Sequence, residues 1–573
     1  MKYFLIIFLT LLLFPLSIFA AVPNNKFGMS LAQPNTDQFS QVKELVNSNG
    51  GDWGYVTLII EEKDRNKEKW QGIFDHLRTL HLVPIIRLAT SAEGENWRRP
   101  ETKDAIDWAN FLDSLNWVTK NRYITLFNEP NHGSEWGGEV DVKSFAKVSL
   151  EFAKKLKEKN KDFFVMLAGF DASAPSWMPG LEDEETFLEK MFKSEIQNSK
   201  SETNSNLKNS NFENCLEFSA SCFEFYFDGW SSHSYPNPGF SGSPYSAGRG
   251  TIRTYEWELG LLKGLGVNKE LPVFITETGW KRGNEGTVAD NFQIAFDQVW
   301  DPDNRVVAVT PFIFDYQGEP FLEFSWKKYN SQEYYQQYFT TQAIKKIKGE
   351  PEQLENGWIN FKLPTDLVVQ STYRFKIRLE NLGQAVWDKN DSYELKIRSE
   401  ELSKPEFLFE DIKGINPFEE KDVYFTLKTN EDLGPKKIKF ILQKNNKNIL
   451  ESENWNINIL PLPSLEFETS FFPFGSGRGD NYEIQIFDVE DQLVFKKKNI
   501  SVNKGLGQLK DIQNIAFDEL YRVVLIKPYH LPRQEYIVFK KDINRIKFKS
   551  LLPFDFNNDG TFNFKDLLRL LGR

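Results

Sequence analysis

Tyr123-Ile-Thr-Leu-Phe-Asn128-Glu129-Pro130-Asn131 is the stretch of this sequence from which the fold can be worked out. It is a short apolar run that ends abruptly in polar residues. A run of this kind is typical of a strand buried on both faces, as in a parallel sheet. The polar residues would then lie at the carboxyl end of the strand, where a loop begins.

Similar apolar runs recur along the first 350 residues, and stretches of helical period lie between several of them. Eight strand–helix units in about 320 residues predict a (β/α)₈ barrel within residues 22–350. A doubly wound open sheet is the alternative, but no Gly-rich phosphate turn follows the first strand. The polar stretch 195–214 is interpreted as an insertion. The eight predicted strands are 27–31, 55–60, 83–88, 123–127, 163–168, 227–233, 272–276 and 306–314.

Three of the predicted strands end in unusual polar residues. The fourth ends in Asn128-Glu129, the sixth carries His233 and Tyr235, and the seventh is followed by Glu277. Each motif alone is common at a strand end. Together, however, they place two carboxylates at the same end of one barrel, three strands apart, so that the carboxylates face each other across its mouth. Cleavage of a glycosidic bond needs such a pair, in which one carboxyl group protonates the leaving oxygen and the other attacks or directs water.

Residues 27–348 resemble the retaining glycoside hydrolases with a (β/α)₈ barrel, the clan that includes cellulases, mannanases, xylosidases and galactanases. The resemblance rests on Asn128-Glu129-Pro130, His233-Ser-Tyr235 and Glu277. It implies that Glu129 is the acid/base, that Glu277 is the nucleophile and that the substrate is a β-linked poly- or oligosaccharide. No metal or organic cofactor is expected for this chemistry.

The resemblance also implies supporting roles. Asn128 would bind the sugar 2-hydroxyl, while His233 and Tyr235 would orient the two carboxylates. Many members of the clan carry an arginine on strand two, and this chain does not. Arg87, at the end of strand three, is predicted to anchor the site in place of that arginine, with an ion pair to Glu61 as the alternative.

Tryptophans in the predicted mouth loops are candidates for stacking on sugar rings, although some of them must cap the core. Many clan members have a tryptophan on strand eight, where this chain reads Thr310-Pro-Phe-Ile-Phe314. Among Trp97, Trp136, Trp280 and Trp326, we expect Trp280 and Trp326 to contact substrate.

Composition and the amino terminus limit where the protein works. The chain has 573 residues, enough for three or four domains, and its net charge of −11 without a basic tract argues against binding nucleic acid. Lys2 and the apolar run 4–22 predict an export signal over residues 1–21, or an uncleaved membrane anchor. Either one places the protein outside the cell or at its surface. Cys215 and Cys222 could then form a disulfide or remain buried thiols.

The C-terminal third has a different pattern of short alternating strands. Residues 371–379 alternate apolar and polar, which predicts a half-exposed antiparallel strand. Residues 351–460 are interpreted as an immunoglobulin-like β-sandwich, and residues 461–552 as a second sandwich resembling transthyretin-like modules. A role as spacers is favoured over carbohydrate binding, because neither segment shows a clear aromatic platform.

The last segment, residues 553–573, contains a calcium-loop spacing. Oxygen-bearing side chains occupy loop positions 1, 3, 5, 9 and 12, with Gly560 at position 6 and a backbone carbonyl expected from position 7, and the segment resembles a single dockerin repeat. A polar Asn/Asp turn is the alternative. A full dockerin has two such loops, so docking to a scaffold is not expected, whereas calcium binding is. The predicted ligands are Asp555, Asn557, Asp559, Thr561, Asn563 and Asp566.

Two other functions compete with the enzyme. A non-catalytic carbohydrate-binding surface protein could use the barrel as a lectin, and a structural spacer would have no affinity for sugar. Retention of both carboxylates favours the enzyme.

Overall fold

A computed structural model describes residues 22–193, 215, 217–399 and 406–571 of the chain. The chain divides into two compact units, one up to Leu354 and the other from Glu355. The predicted export signal or anchor at 1–21 and the predicted insertion at 195–214 lie outside the described residues. Among the residues that are described, no helix is long and apolar enough to cross a membrane.

The first unit contains a closed barrel of eight parallel strands. Strands β1 to β5 pair in sequence order, and so do β6 to β8. Single parallel bridges, Met166 with Gly229 and Phe27 with Val309, join the two sets into a circle. The predicted (β/α)₈ barrel is therefore confirmed, and the open sheet is excluded. The strands are β1 (Gly28–Ser30), β2 (Gly54–Glu61), β3 (Leu82–Ala89), β4 (Arg122–Leu126), β5 (Phe163–Leu167), β6 (Trp230–His233), β7 (Val273–Glu277) and β8 (Val306–Val309).

Helices on the outside of the barrel bury one face against the strands. In Val142–Lys159, apolar residues three or four positions apart are buried, and the Asp141 side chain caps the first turn by accepting from the Ser144 amide. The helices are α1 (Thr36–Val46), α2 (Lys67–Thr79), α3 (Asp104–Asp113), α4 (Val142–Lys159), α5 (Glu184–Lys193), α6 (Ala220–Tyr226), α7 (Thr254–Gly264), α8 (Glu285–Ile294), continued as a π-helix Ala295–Trp300, and α9 (Gln336–Ala343).

The interior of the barrel is filled with side chains. Apolar side chains from six of the strands form one buried cluster, so the barrel has a packed core rather than a channel. Polar chemistry is left to the mouth, where the strands end. The cluster consists of Tyr55, Val83, Ile85, Tyr123, Met166, Phe274 and Ala308.

Cys215 and Cys222 are joined by a disulfide, with their Cα atoms 5.8 Å apart. The structure therefore has the disulfide rather than two free thiols. Cys222 lies in the first turn of α6, where its amide donates to the Ser219 hydroxyl that caps the helix.

The second unit consists mainly of β-strands, as the sequence predicts, and its first part is a pair of facing sheets around one core. Thr372–Asn381 alternates buried and exposed residues because one of its faces covers the core and the other faces solvent. One sheet contains Gly357–Asn360, Thr372–Asn381, Glu420–Lys428 and Glu406–Phe409. The other contains Asp366–Val368, Trp455–Leu460, Gly434–Lys444 and Tyr393–Arg398, with Lys447–Glu451 paired to Gly434–Lys444.

A second pair of sheets, around a separate core, follows in the chain. Its last strand, Pro553–Asp555, pairs with Tyr529–Val538 and leads directly into the predicted calcium loop. Helix α10 (Phe564–Leu570) comes after that loop. The smaller sheet contains Leu506–Leu509, Leu465–Glu468 and Asn544–Lys547, and the larger one contains Leu493–Val502, Gly479–Phe487, Leu520–Lys527, Tyr529–Val538 and Pro553–Asp555.

Candidate active site

A cavity of about 340 Å³ opens at the carboxyl ends of the barrel strands, and both predicted catalytic carboxylates line it. One oxygen of Glu129, one oxygen of Glu277 and a ring nitrogen of His233 all lie within 4.8 Å of one another. Retaining glycosidases hold their two carboxyl groups about 5–5.5 Å apart, whereas inverting enzymes need about 6.5–9.5 Å to admit a water molecule. The spacing of this pair fits the retaining geometry.

The backbone at the end of β4 takes an unusual course to bring Glu129 into the cavity. Phe127 has φ 71° and Glu129 has φ 26°, both in the left-handed region that side-chain-bearing residues rarely adopt. Each such residue costs about 1–3 kcal/mol and persists only where the surroundings hold it, which is common at functional sites. Here the Glu129 amide donates to the Gly169 carbonyl next to β5.

His233 connects the two carboxylates. Its Nδ1 lies 2.8 Å from Glu129 Oε1 and 3.9 Å from Glu277 Oε2. Burial lowers the pKa of His233, but the Glu277 charge and the hydrogen bond to Glu129 outweigh burial and hold the pKa above its usual value. The ring fits only because residue 169 is glycine, since a methyl group there would overlap it.

Two donors hold the Glu277 carboxylate in place. Arg87 Nη1 donates to Oε1 at 2.9 Å, and the Tyr235 hydroxyl donates to Oε2 at 3.0 Å. Burial, followed by the Glu277 charge, raises the pKa of Tyr235 well above its usual value, so the phenol keeps its proton. The sequence left open whether Arg87 joins the active site or pairs with Glu61, and in the structure it joins the active site.

Asn128 interacts with both Arg87 and Glu135. Its Oδ1 accepts from Arg87 Nη1 at 2.6 Å, and its side chain hydrogen-bonds Glu135. Glu135 lies in the 3₁₀ turn Gly133–Glu135 and lines the cavity as a third glutamate. Burial and the Glu129 charge raise the pKa of Glu135 to about 7, although the Arg87 charge works in the opposite direction.

His132 and Asp171 form a pair beside Glu129. His132 Nε2 lies 2.9 Å from Asp171 Oδ2, and both residues line the cavity. Burial raises the pKa of Asp171, but the hydrogen bond to His132 and other donors outweigh it and hold the pKa below its usual value. Neither this pair nor Glu135 was found from the sequence, because these residues belong to loops without periodicity or a recognisable motif.

The expectation that Trp280 and Trp326 contact substrate needs correction. Their exposed fractions are only 3% and 1%, and both rings pack against Phe292 of α8, at 4.9 Å and 4.8 Å between ring centroids. Trp280 also donates its indole N–H to the Gly242 carbonyl. The two rings belong to the layer between the strands and the helices. Their positions in the sequence do not reveal this, because a ring in a loop can turn either way.

Other aromatic side chains line the cavity instead. Phe240, Phe312 and Phe324 form a cluster, with ring centroids 5.1 Å apart for Phe240 and Phe324 and 6.1 Å apart for Phe312 and Phe324. Trp97 lines the cavity as well. These rings provide an apolar wall to the cavity.

The predicted calcium loop is a compact turn of oxygen-bearing side chains. Asp555 and Asp566 are buried, and each accepts from two backbone amides of the loop. Asp559 is hydrogen-bonded to the side chains of Asn557, Thr561 and Asn563. All six predicted ligands carry oxygen donors of the hard kind that calcium prefers.

No protein-family model and no curated protein sequence matches this chain. Among solved structures, an endo-β-1,4-mannanase from Thermotoga petrophila is similar with 11% identity over 76% of this chain and 98% of its own, at a TM-score of 0.32. A triple mutant of an endo-β-1,4-glucanase from Xanthomonas axonopodis pv. citri gives 11% identity, coverage of 56% and 98%, and a TM-score of 0.36. A β-mannanase from Thermomonospora fusca has 13% identity over 54% of this chain and 84% of its own, at a TM-score of 0.33. Because the identities and TM-scores are this low, the barrel is assigned from the strand pairing of this chain itself.

Proposed function

We propose that this protein is a retaining glycoside hydrolase that cleaves β-glycosidic bonds in neutral poly- or oligosaccharides. The observation that carries the proposal is the pair Glu129 and Glu277, which each place one carboxyl oxygen within 4.8 Å of the other in a cavity at the barrel mouth. At that separation, both carboxyl groups can reach one anomeric centre.

The reaction would proceed by double displacement. Glu277 attacks the anomeric carbon while Glu129 donates a proton to the leaving oxygen, which gives a glycosyl-enzyme ester and a free sugar hydroxyl. Glu129, now a carboxylate, then takes a proton from water, whose oxygen attacks the anomeric carbon and releases Glu277. Arg87 and Tyr235 aim the nucleophile, and His233 orients the acid/base.

The charges in the cavity favour a neutral sugar. Arg87 is paired with Glu277 and His132 with Asp171, and the His233 ring is hydrogen-bonded to Glu129. The carboxylate of a uronic acid or a sulfate ester would therefore meet carboxylates without a free cation to bind it. The phenylalanine wall suits the apolar face of a neutral sugar ring.

The direct experiment is a screen of 4-nitrophenyl β-glycosides and plain β-linked polysaccharides with the wild-type protein. Glu277→Ala should abolish hydrolysis, and Glu129→Gln should suppress it most on substrates with poor leaving groups, because these need the proton. Azide should rescue Glu277→Ala by forming the α-glycosyl azide. Full activity of Glu129→Gln would refute the acid/base assignment. If the wild-type protein and Glu277→Ala bind oligosaccharide equally and neither hydrolyses it, the barrel is a lectin.

Two further properties belong to this proposal. Residues 1–21 would direct export, consistent with an enzyme that acts on polymers outside the cell or at its surface. The loop Asp555 to Asp566 would hold one calcium ion, with Thr561 contributing its backbone carbonyl and the other five predicted ligands their side chains. We assign the second unit no catalytic role, because Glu129 and Glu277 both lie in the first.

A further inference from the structure

The Arg87 side chain crosses the mouth of the barrel to reach Glu277. Arg87 lies on β3 and Glu277 on β7, four strands away and therefore on the opposite side of the circle. Arg87 Nη1 donates to Glu277 Oε1 at 2.9 Å and to Asn128 Oδ1 at 2.6 Å. Both contacts lie at the far end of a long side chain, so the guanidinium keeps its place only if the rest of that side chain is held as well.

A second guanidinium nitrogen of Arg87, Nε, is buried and has no hydrogen-bond partner among the described residues. Arg87 stands in register between Ile59 of β2 and Thr125 of β4. Residues in register on neighbouring parallel strands lie about 4.8 Å apart, with their side chains on the same face of the sheet. Ile59 has no acceptor on its side chain, so Thr125 is the neighbour in the sheet that can accept a hydrogen bond from Nε.

The Thr125 hydroxyl is also buried, and it finds no partner in the part of the chain that the structure describes. Thr125 points into the barrel, because Tyr123, two residues earlier on β4, belongs to the interior cluster. The hydroxyl of Thr57, which also lies in the barrel interior, is by contrast satisfied and donates to Thr310 at 2.9 Å. A buried donor and a buried acceptor on adjacent residues, each without another partner, are costly to leave apart.

We propose that Thr125 is a positioning residue for the nucleophile. Its hydroxyl accepts a hydrogen bond from Arg87 Nε, directly or through one buried water molecule, and so holds the guanidinium that aims Glu277. Thr125 itself makes no contact with the reacting atoms. This inference rests on the proposed function and adds to it a residue that belongs to none of the motifs from which the site was predicted.

The kinetic test compares Thr125→Val with Thr125→Ser on the substrate identified by the screen. Valine keeps the shape of the side chain and removes the hydroxyl, so kcat should fall about tenfold with little change in KM. Serine keeps the hydroxyl and loses a buried methyl group, so this variant should retain most of the wild-type kcat. A role limited to packing predicts the reverse order, because serine would leave a cavity and valine would not.

Thr57→Val is the matched control. It removes a hydroxyl from the same barrel interior, but one that bonds Thr310 rather than facing Arg87. Its kcat should stay near the wild-type value. Circular dichroism and thermal unfolding identify any variant whose loss of activity is due to misfolding.

The kinetic outcomes separate the two proposals. If the wild-type protein hydrolyses the substrate and Thr125→Val matches it, or if Thr125→Ser loses as much kcat as Thr125→Val, then Thr125 does not position Arg87, although the enzyme assignment stands. If the wild-type protein hydrolyses no β-glycoside and no polysaccharide, the proposed function fails, and the positioning role fails with it.

A crystal structure of the wild-type protein tests the contact itself and needs no substrate. Thr125 Oγ1 should lie within about 3.2 Å of Arg87 Nε, or both atoms should bind the same ordered water molecule. An Arg87 Nε that bonds a different residue, with the Thr125 hydroxyl turned away from it, would overturn the inference whatever the kinetics show.

Discussion

At the scale of single residues, the site depends on the donors that hold each catalytic carboxylate. Tyr235→Phe removes the 3.0 Å hydrogen bond to Glu277 Oε2 and keeps the ring. A hydrogen bond to a charged group contributes about 1.5–3 kcal/mol, so we expect kcat to fall about tenfold to a hundredfold with little change in KM. Steady-state kinetics test this, with Tyr245→Phe at an exposed tyrosine as the control. An unchanged kcat would mean that the phenol does not position the nucleophile.

Glu135 gives the site a group that ionises near neutral pH. Its pKa is raised to about 7 by burial and the Glu129 charge, so Glu135 is neutral below that pH and charged above it. Its ionisation adds a negative charge to the cavity and changes its hydrogen bond with Asn128. We expect the pH profile of kcat/KM to show an inflection near pH 7 that Glu135→Gln lacks. Glu139→Gln, at an exposed residue in the same loop, is the control and should keep the inflection. An inflection that persists in Glu135→Gln would show that it does not come from the ionisation of Glu135.

At the scale of the secondary-structure elements, the barrel strands could be located from the sequence because they are buried on both faces. The run 123–127 corresponds to β4, Arg122–Leu126, within one residue. The run 306–314 was predicted too long, since β8 ends at Val309, before Pro311. Apolar composition locates a buried strand well, but it does not show where the hydrogen-bonded ladder stops.

The candidate site could be predicted only in part. Glu129 and Glu277 follow from strand ends, because strand ends of one barrel must share one rim. Directions of side chains in loops depend on tertiary packing, which is why Trp280 was expected at the mouth and lies in the core. Glu135 approaches Asn128 through a 3₁₀ turn, and no spacing in the sequence predicts that contact.

The calcium loop is an element that can be tested independently of catalysis. Calorimetry should show one calcium ion binding to the wild-type protein. Asp559→Ala should abolish or strongly weaken binding, because it removes a carboxylate ligand. Asp559 is exposed, so the substitution leaves the core intact. Asp555→Ala should weaken binding as well, and Asp542→Ala, outside the loop, should bind normally. Unchanged binding in both loop variants would place the metal elsewhere.

At the scale of the whole molecule, a buried pair of carboxyl groups should make stability depend on pH. Glu184 and Glu258 are fully buried and adjacent, and Glu258 accepts from the Trp230 indole at 2.9 Å. Burial raises the pKa of both groups above the usual value near 4.5, and the neighbouring Glu258 charge raises that of Glu184 further. The pair therefore stabilises the fold fully below about pH 4.5, and that stability is lost as pH rises through the raised pKa values.

Glu184→Gln keeps the shape of the side chain and removes one ionisation. We expect the unfolding temperature of the variant to fall less steeply with rising pH above 4.5 than that of the wild-type protein. Thermal unfolding monitored by circular dichroism across this range measures the slope, and Glu185→Gln, at the exposed neighbouring residue, should retain the wild-type slope. Parallel slopes for all three proteins would show that the pair does not titrate with folding.

The whole account requires Glu129 and Glu277 to act on one anomeric carbon at a separation that leaves no room for a water molecule between nucleophile and sugar. Proton NMR of the sugar released first, recorded before mutarotation on the substrate identified by the screen, tests this requirement directly. We predict that the β-anomer appears first, with net retention of configuration. Initial release of the α-anomer would mean inversion, and would contradict the assignment of Glu277 as nucleophile.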